Sequence, residues 1–179
     1  MRSIFIITGV QASGKSTVAR LLAESAALPR SVHVGGDVFR RMVVNGRAEM
    51  TAEPSPEAVA QLRLRHRLTA TVADAYFEAG FGVVVQDVII GPHLGEMVAA
   101  IRSRPLHVVV LAPSVATVAA REAARSKDAY GIWTIEALDR TLRTETPRLG
   151  LWLDTSELTP EETVAEILSK AADEARIYP

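Results

Sequence analysis

Gly9-Val10-Gln11-Ala12-Ser13-Gly14-Lys15-Ser16, followed by Thr17, fits the pattern G-x-x-x-x-G-K-[ST]. It lies between an apolar run of strand-forming residues, 3–8, and a helical pattern that begins near Lys15. A strand, a glycine loop and a helix in that order aim backbone N–H groups and a helix N-terminus at one point, and that point suits a phosphate. Gly9 and Gly14 permit conformations and close approaches that a side chain would block. Lys15 is placed to reach the β- and γ-phosphates of a nucleotide, and the Ser16 hydroxyl to face Mg²⁺. Residues 9–17 are therefore the candidate nucleotide-binding segment.

The rest of the chain repeats the alternation that the loop begins. Apolar strand candidates fall at residues 3–8, 31–35, 82–87, 106–111 and 150–154, with helical stretches between them. Continuous apolar runs suit strands covered on both faces, as in a parallel sheet. The expected class is α/β: a five-stranded, mainly parallel sheet with helices on both faces, three layers in all. At 179 residues, 48% of them hydrophobic, one domain over residues 1–179 is expected. Thr159-Pro160-Glu161-Glu162 reads as a capping box with proline in the first turn, opening a helix toward Ala175. Gly80 should stop a long helix that starts near Pro56 or Glu57, with Leu64, Leu68, Val72, Ala75 and Ala79 as its apolar stripe. On this reading Arg65 borders the stripe, and Arg63, His66 and Arg67 lie outside it. Residues 45–56 and 126–133 are less regular; a substrate-covering segment over 45–80 and a short lid over 121–140 are expected.

Composition narrows the chemistry. The chain has no cysteine, which excludes disulfides, thiolate catalysis and cysteine-ligated metals. A formal net charge of -1 gives no sign of a nucleic-acid surface or a polybasic membrane patch. The apolar run at the start is too short for a signal peptide or a membrane span, so a cytoplasmic protein is expected. The four histidines show no metal-ligand spacing, and His107, inside a strand, reads as a core or edge residue.

Ligands of parallel sheets bind at the carboxyl ends of the strands, and Asp37, Asp87 and Asp154 follow three such ends directly. Phosphoryl transfer needs one carboxylate to organise Mg²⁺ and another to engage the attacking hydroxyl. Asp87, after four mostly apolar residues, is assigned to the metal shell with Ser16. Asp37 is assigned to the acceptor hydroxyl as base. The opposite assignment is open to the same residues, and each acid also suits helix capping, which is the role kept for Asp154. Arg121 and Arg125 share a helix face. Arg125 is the candidate to stabilise the transferring phosphoryl group, with Lys127 as a weaker one, and Arg121 the candidate to stack on the nucleotide base. Arg40 and Arg41, within a turn of Asp37, are candidates for a substrate anion or a phosphate oxygen, and Tyr130 and Trp133 for other substrate contacts.

The loop on the first strand, the acids ending the second and third, and the arginine-bearing lid resemble the nucleotide-kinase-like P-loop phosphotransferases. Within that group, Val34-Gly35-Gly36-Asp37-Val38 and Val85-Gln86-Asp87-Val88-Ile89-Ile90-Gly91 are similar to segments of the chloramphenicol phosphotransferase-like proteins. The resemblance implies a P-loop kinase fold, ATP and Mg²⁺, a small-molecule hydroxyl acceptor and Asp37 as base. It does not imply chloramphenicol: Gln86 stands where that family often carries a second acid, and residues 45–80 give no match. A nucleoside, a sugar, an antibiotic-like compound or another metabolite remains open, as does monomer or homodimer. A GTPase switch lacks N-K-x-D and the D-x-x-G spacing. An AAA-type motor would need an acid where Val88 stands. A binding module with a vestigial site sits poorly with Lys15, Ser16, Asp37 and Asp87 all present.

Overall fold

The computed structural model describes residues 2–51, 53–124 and 134–178. Its centre is a parallel sheet in the order β2-β3-β1-β4-β5, formed by Ser31–Gly35, Gly82–Gln86, Ile4–Gly9, Leu106–Leu111 and Leu151–Leu153. The strands are dictated by their sequences. β1 is IFIITG and is buried throughout, and β4, LHVVVL, likewise. Alternate side chains serve opposite faces. Ile4, Ile6, Val83, Val85, Val108 and Val110 enter one core, while Phe5, Ile7, Val84, Val109 and Leu111 enter the other.

Helices cover both faces. On the second face, α1 (Lys15–Glu24) packs against the helix Pro160–Lys170, named α7 below. The first face carries α3 (Pro56–Glu78) and α4 (His93–Ala100), with the short α2 (Asp37–Met42) against α3. Two further helices, α5 (Val115–Ala123) and α6 (Ile135–Arg140), pack on each other, and α6 runs into a wide turn, Thr141–Glu145. The expected ends are present. The Ser55 hydroxyl accepts from the Ala58 N–H at 3.1 Å to start α3, and Gly80, at φ 90°, follows its end. Thr159 and Glu162 cap α7 reciprocally.

The helix runs toward Ala175 as expected, as α7 to Lys170 and then in wider turns over Ala171–Ala175, and it is followed by a strand beyond the expected five, β6 (Arg176–Ile177), antiparallel to β4. β6 pairs with Leu106 and His107 while β5 pairs with Val109 to Leu111, so the two share one side of β4. His107 is buried there, stacked on Phe5 with ring centroids 4.6 Å apart.

The buried face of α3 differs from the expected apolar stripe. It is formed by His66, Thr69, Ala70, Ala73, Asp74 and Phe77, whereas Leu64, Leu68, Ala75 and Ala79 are exposed. Small Ala70 and Ala73 sit against the sheet, and Asp74 is satisfied by the backbone N–H groups of Arg102 and Ser103. Asp74, with its backbone partners after α4, thus occupies a position that hydrophobicity alone assigns to solvent. Among the described residues, no helix is long and apolar enough to cross a membrane.

Candidate active site

β1 is flanked by β3 and β4, and the glycine loop leaves its carboxyl end. Gly9 has φ 149°, Ala12 57° and Gly14 93°, which turn the chain tightly into α1. A Cβ on Gly9 would collide with Ser13 and with the Leu111 carbonyl. α1 begins with no side-chain cap and no acid in its first turn. Its positive dipole end therefore carries no compensating negative side chain. Lys15 is buried and folds back over the loop, its Nζ donating to the Val10 carbonyl at 2.7 Å. Arg121 bridges this loop to the end of β5, donating to the carbonyls of Ser13 at 3.3 Å and Thr155 at 2.8 Å.

The loop forms one wall of an open cleft of about 1720 Å³. Gln11, Ala12, Gly14, Lys15, Ser16 and Thr17 line it, together with Asp37, Arg40, Arg65 and Asp87. Val10 is buried behind the loop. Arg41 is exposed and is not among the cleft-lining residues, while Arg40 is ion-paired with Glu49. Arg125, Lys127, Tyr130 and Trp133 lie outside the described residues; Ala124, which follows α5, lines the cleft. Asp154 accepts from the N–H and hydroxyl of Ser156, a local turn away from the cleft. Those bonds hold its carboxyl below the usual range.

The two cleft acids have different surroundings. Asp87 is 3% exposed and Asp37 69%. Arg65, from α3, grips Asp87 with both arms: Nε donates to Oδ2 at 2.6 Å and Nη2 pairs with Oδ1. The same Nη2 lies 3.3 Å from Asp37 Oδ1. Burial holds the Arg65 pKa below its usual value, and the Asp37 charge offsets only part of that. Behind Asp87, Gly36 leaves the room that the carboxylate fills, since a Cβ there would collide with it. Thr8, at the end of β1, pins the following segment by accepting from the Ile89 N–H and donating to the Ile89 carbonyl, both at 2.9 Å. Arg65, Gly36 and Thr8 were not singled out from the sequence as site residues. The signal for Arg65 is its place on the face Gln61, Leu64, Arg65, Leu68, which keeps i, i+3, i+4, i+7 spacing and lines the cleft.

A family model described as an AAA domain, AAA_33, matches residues 4–147, a span that takes in the loop, both acids, Arg65 and Arg121. The chain belongs to the AAA_33 family. This AAA_33 chain also resembles solved structures. A sugar kinase from Janibacter sp. HTCC2649 matches with TM-score 0.71 and 18% identity, over 98% of this chain and 96% of that one. A Deinococcus radiodurans tunicamycin resistance protein matches with TM-score 0.70 and 16% identity over 100% of both chains. A Mycobacterium tuberculosis APS kinase, solved in complex with AMPPNP and APS, matches with TM-score 0.66 and 17% identity over 94% and 96%. No curated protein matches the chain. At these identities the likeness is one of fold, and the fold is the α/β P-loop kinase fold.

The AAA_33 site suits Mg²⁺ of the kind that travels with a nucleotide. Among the described residues, no three His, Cys, Asp or Glu side chains form a metal cage. Mg²⁺ commonly takes one or two protein oxygens, phosphates and retained waters instead. Ser16, next to Lys15 in the glycine loop, offers a hydroxyl to the cleft. Asp87, with both oxygens held by Arg65, fits contact through water.

Proposed function

We propose that this chain is an ATP-dependent phosphotransferase that phosphorylates a hydroxyl group of a small molecule. The observation that carries the reading is the pairing of an uncapped glycine-loop helix start with an accessible carboxylate, Asp37, across one cleft. The loop amides, the α1 N-terminus and Lys15 would hold the phosphates. Ser16 and, through water, Asp87 would hold Mg²⁺, which when bound neutralises charge on the β- and γ-phosphate oxygens. Arg121, which does not line the cleft and donates to the Ser13 and Thr155 carbonyls, would have to leave those bonds to stack on the base of the nucleotide.

Asp37 would accept the proton of the acceptor hydroxyl as its oxygen bonds the γ-phosphorus. The bond from that phosphorus to the β–γ bridging oxygen breaks, and ADP leaves. The exposure of Asp37 favours it over Asp87 as base, because the acceptor can reach it. Arg65 serves as a positioning residue that fixes Asp87 and sets the charge beside Asp37. Arg125 remains the candidate for the transferring group. Most of the rate enhancement in such a site comes from placement and preorganised charge.

A motor or switch reading has less support. Val88 follows Asp87, so the site lacks the adjacent acid that would orient a hydrolytic water in an AAA-type ATPase. Turnover of Mg·ATP separates the readings. A phosphotransferase consumes ATP rapidly only when an acceptor alcohol is added, and fast acceptor-independent turnover would overturn the proposal.

A further inference from the structure

The acceptor side of the cleft is apolar in a way that the fold does not require. Leu64 and Leu68, one turn apart on α3, are 43% and 40% exposed, and Met42, at the end of α2, is 65% exposed. All three line the cleft, as do Met50 and Ile90, together with Asp37. Large aliphatic side chains left in water on a cleft wall, rather than scattered singly, mark a surface that another apolar body covers.

The charges on that side tell a matching story. Arg40 is paired with Glu49. Arg65 is committed to Asp87 and Asp37. His93 faces Glu96 through Nδ1 at 3.1 Å. Among the described residues, the two arginines and the histidine that line the acceptor wall thus each already face a carboxylate. An anionic acceptor would have to break one of these pairs, whereas a neutral one meets them intact.

We infer that the acceptor is an uncharged alcohol carrying a sizeable apolar body, its hydroxyl at Asp37 and its body on Met42, Leu64 and Leu68. This rests on the phosphotransferase reading for the reaction, but it concerns binding and can be tested separately. Neutral sugars without an apolar group, and sugar acids, are disfavoured acceptors on this view. Burying a chain of methylenes on such a wall strengthens binding by a few-fold per group.

The test uses calorimetry with octyl glucoside below its micelle concentration, glucose and gluconate, each with and without Mg·AMPPNP. Octyl glucoside should bind at least tenfold more tightly than glucose or gluconate. Leu64→Asp with Leu68→Asp should erase that advantage while AMPPNP still binds, which reports an intact fold. Met42→Asp, from the opposite helix, should weaken octyl glucoside independently. Equal or tighter binding of glucose or gluconate overturns the inference. So does absence of octyl glucoside binding, or an octyl advantage that survives these substitutions. If AMPPNP alone fails to bind the parent protein, the phosphotransferase reading falls, while the octyl comparison still decides the acceptor wall.

Discussion

Arg65 and Asp87, 22 residues apart in sequence, meet as a two-armed ion pair at the floor of the cleft, with Asp37 at its outer edge. Removing one partner of a buried pair strands the other charge. Arg65→Ala should therefore cost on the order of 3 kcal/mol of stability, read from urea unfolding. Arg65→Lys should restore part of the stability but not the forked geometry, leaving phosphoryl transfer impaired at near-normal ATP affinity. Equal transfer rates in the parent and in Arg65→Ala would remove Arg65 from the site.

Gly36→Ala probes the same carboxylate from behind. The added methyl would occupy space that Asp87 fills, so the ion pair must shift. Destabilisation of about 1–3 kcal/mol is expected, with a larger proportional loss of transfer than of nucleotide binding. Full activity in Gly36→Ala would show that Asp87 tolerates displacement.

Asp37→Asn separates the two acids. Loss of a general base slows the chemical step by about 10²- to 10⁴-fold, while AMPPNP affinity and unfolding midpoint should stay close to those of the parent. Asp87→Asn should instead lower stability, because it breaks the Arg65 pair. If Asp37→Asn changes only the Mg²⁺ dependence, the roles of the two acids are reversed.

Lys15→Ala removes the cation that folds over the glycine loop. AMPPNP binding should weaken severely and transfer should be lost. Unchanged affinity by calorimetry would displace the nucleotide from the loop.

His66 gives a pH dependence unrelated to catalysis. Burial, helped by the Arg65 and His93 charges, pulls its pKa down to about 4, and neither ring nitrogen has a hydrogen-bond partner among the described residues. Between about pH 6.5 and 4 the unfolded chain binds the proton that the folded imidazole refuses. Stability therefore rises with pH across this window and falls on acidification, by up to about 3 kcal/mol from this group. His33 and His107 are also lowered by burial and act with the same sign. His66→Leu should flatten the dependence without abolishing it, as measured by urea unfolding at several pH values. A parent-like slope in that variant would exonerate His66.

The glycine loop and its place between strand and helix were legible because their signals are local. The glycine spacing, the strand before it and the helix after it all lie within residues 3–24. Asp37 and Asp87 were legible because each follows an apolar run directly. Arg65, Gly36 and Thr8 were not, since each acts on a residue brought near only by folding: α3 lies across the end of β3, and β1 beside it. The stripe through Leu64 and Leu68 misled for a related reason. Its apolar character belongs to the cleft, while His66 and Asp74 take the buried side with partners from α4 and the residues after it.

Asp37, Met42, Leu64, Arg65 and Leu68 all belong to one uninterrupted stretch, from the end of β2 to the middle of α3, whereas the glycine loop and Arg121 lie outside it. On the proposed reading, recognition of the alcohol and grip on the nucleotide would rest on separate pieces of chain. Exchanging the first piece wholesale would then change the target and leave untouched the loop that holds the phosphate.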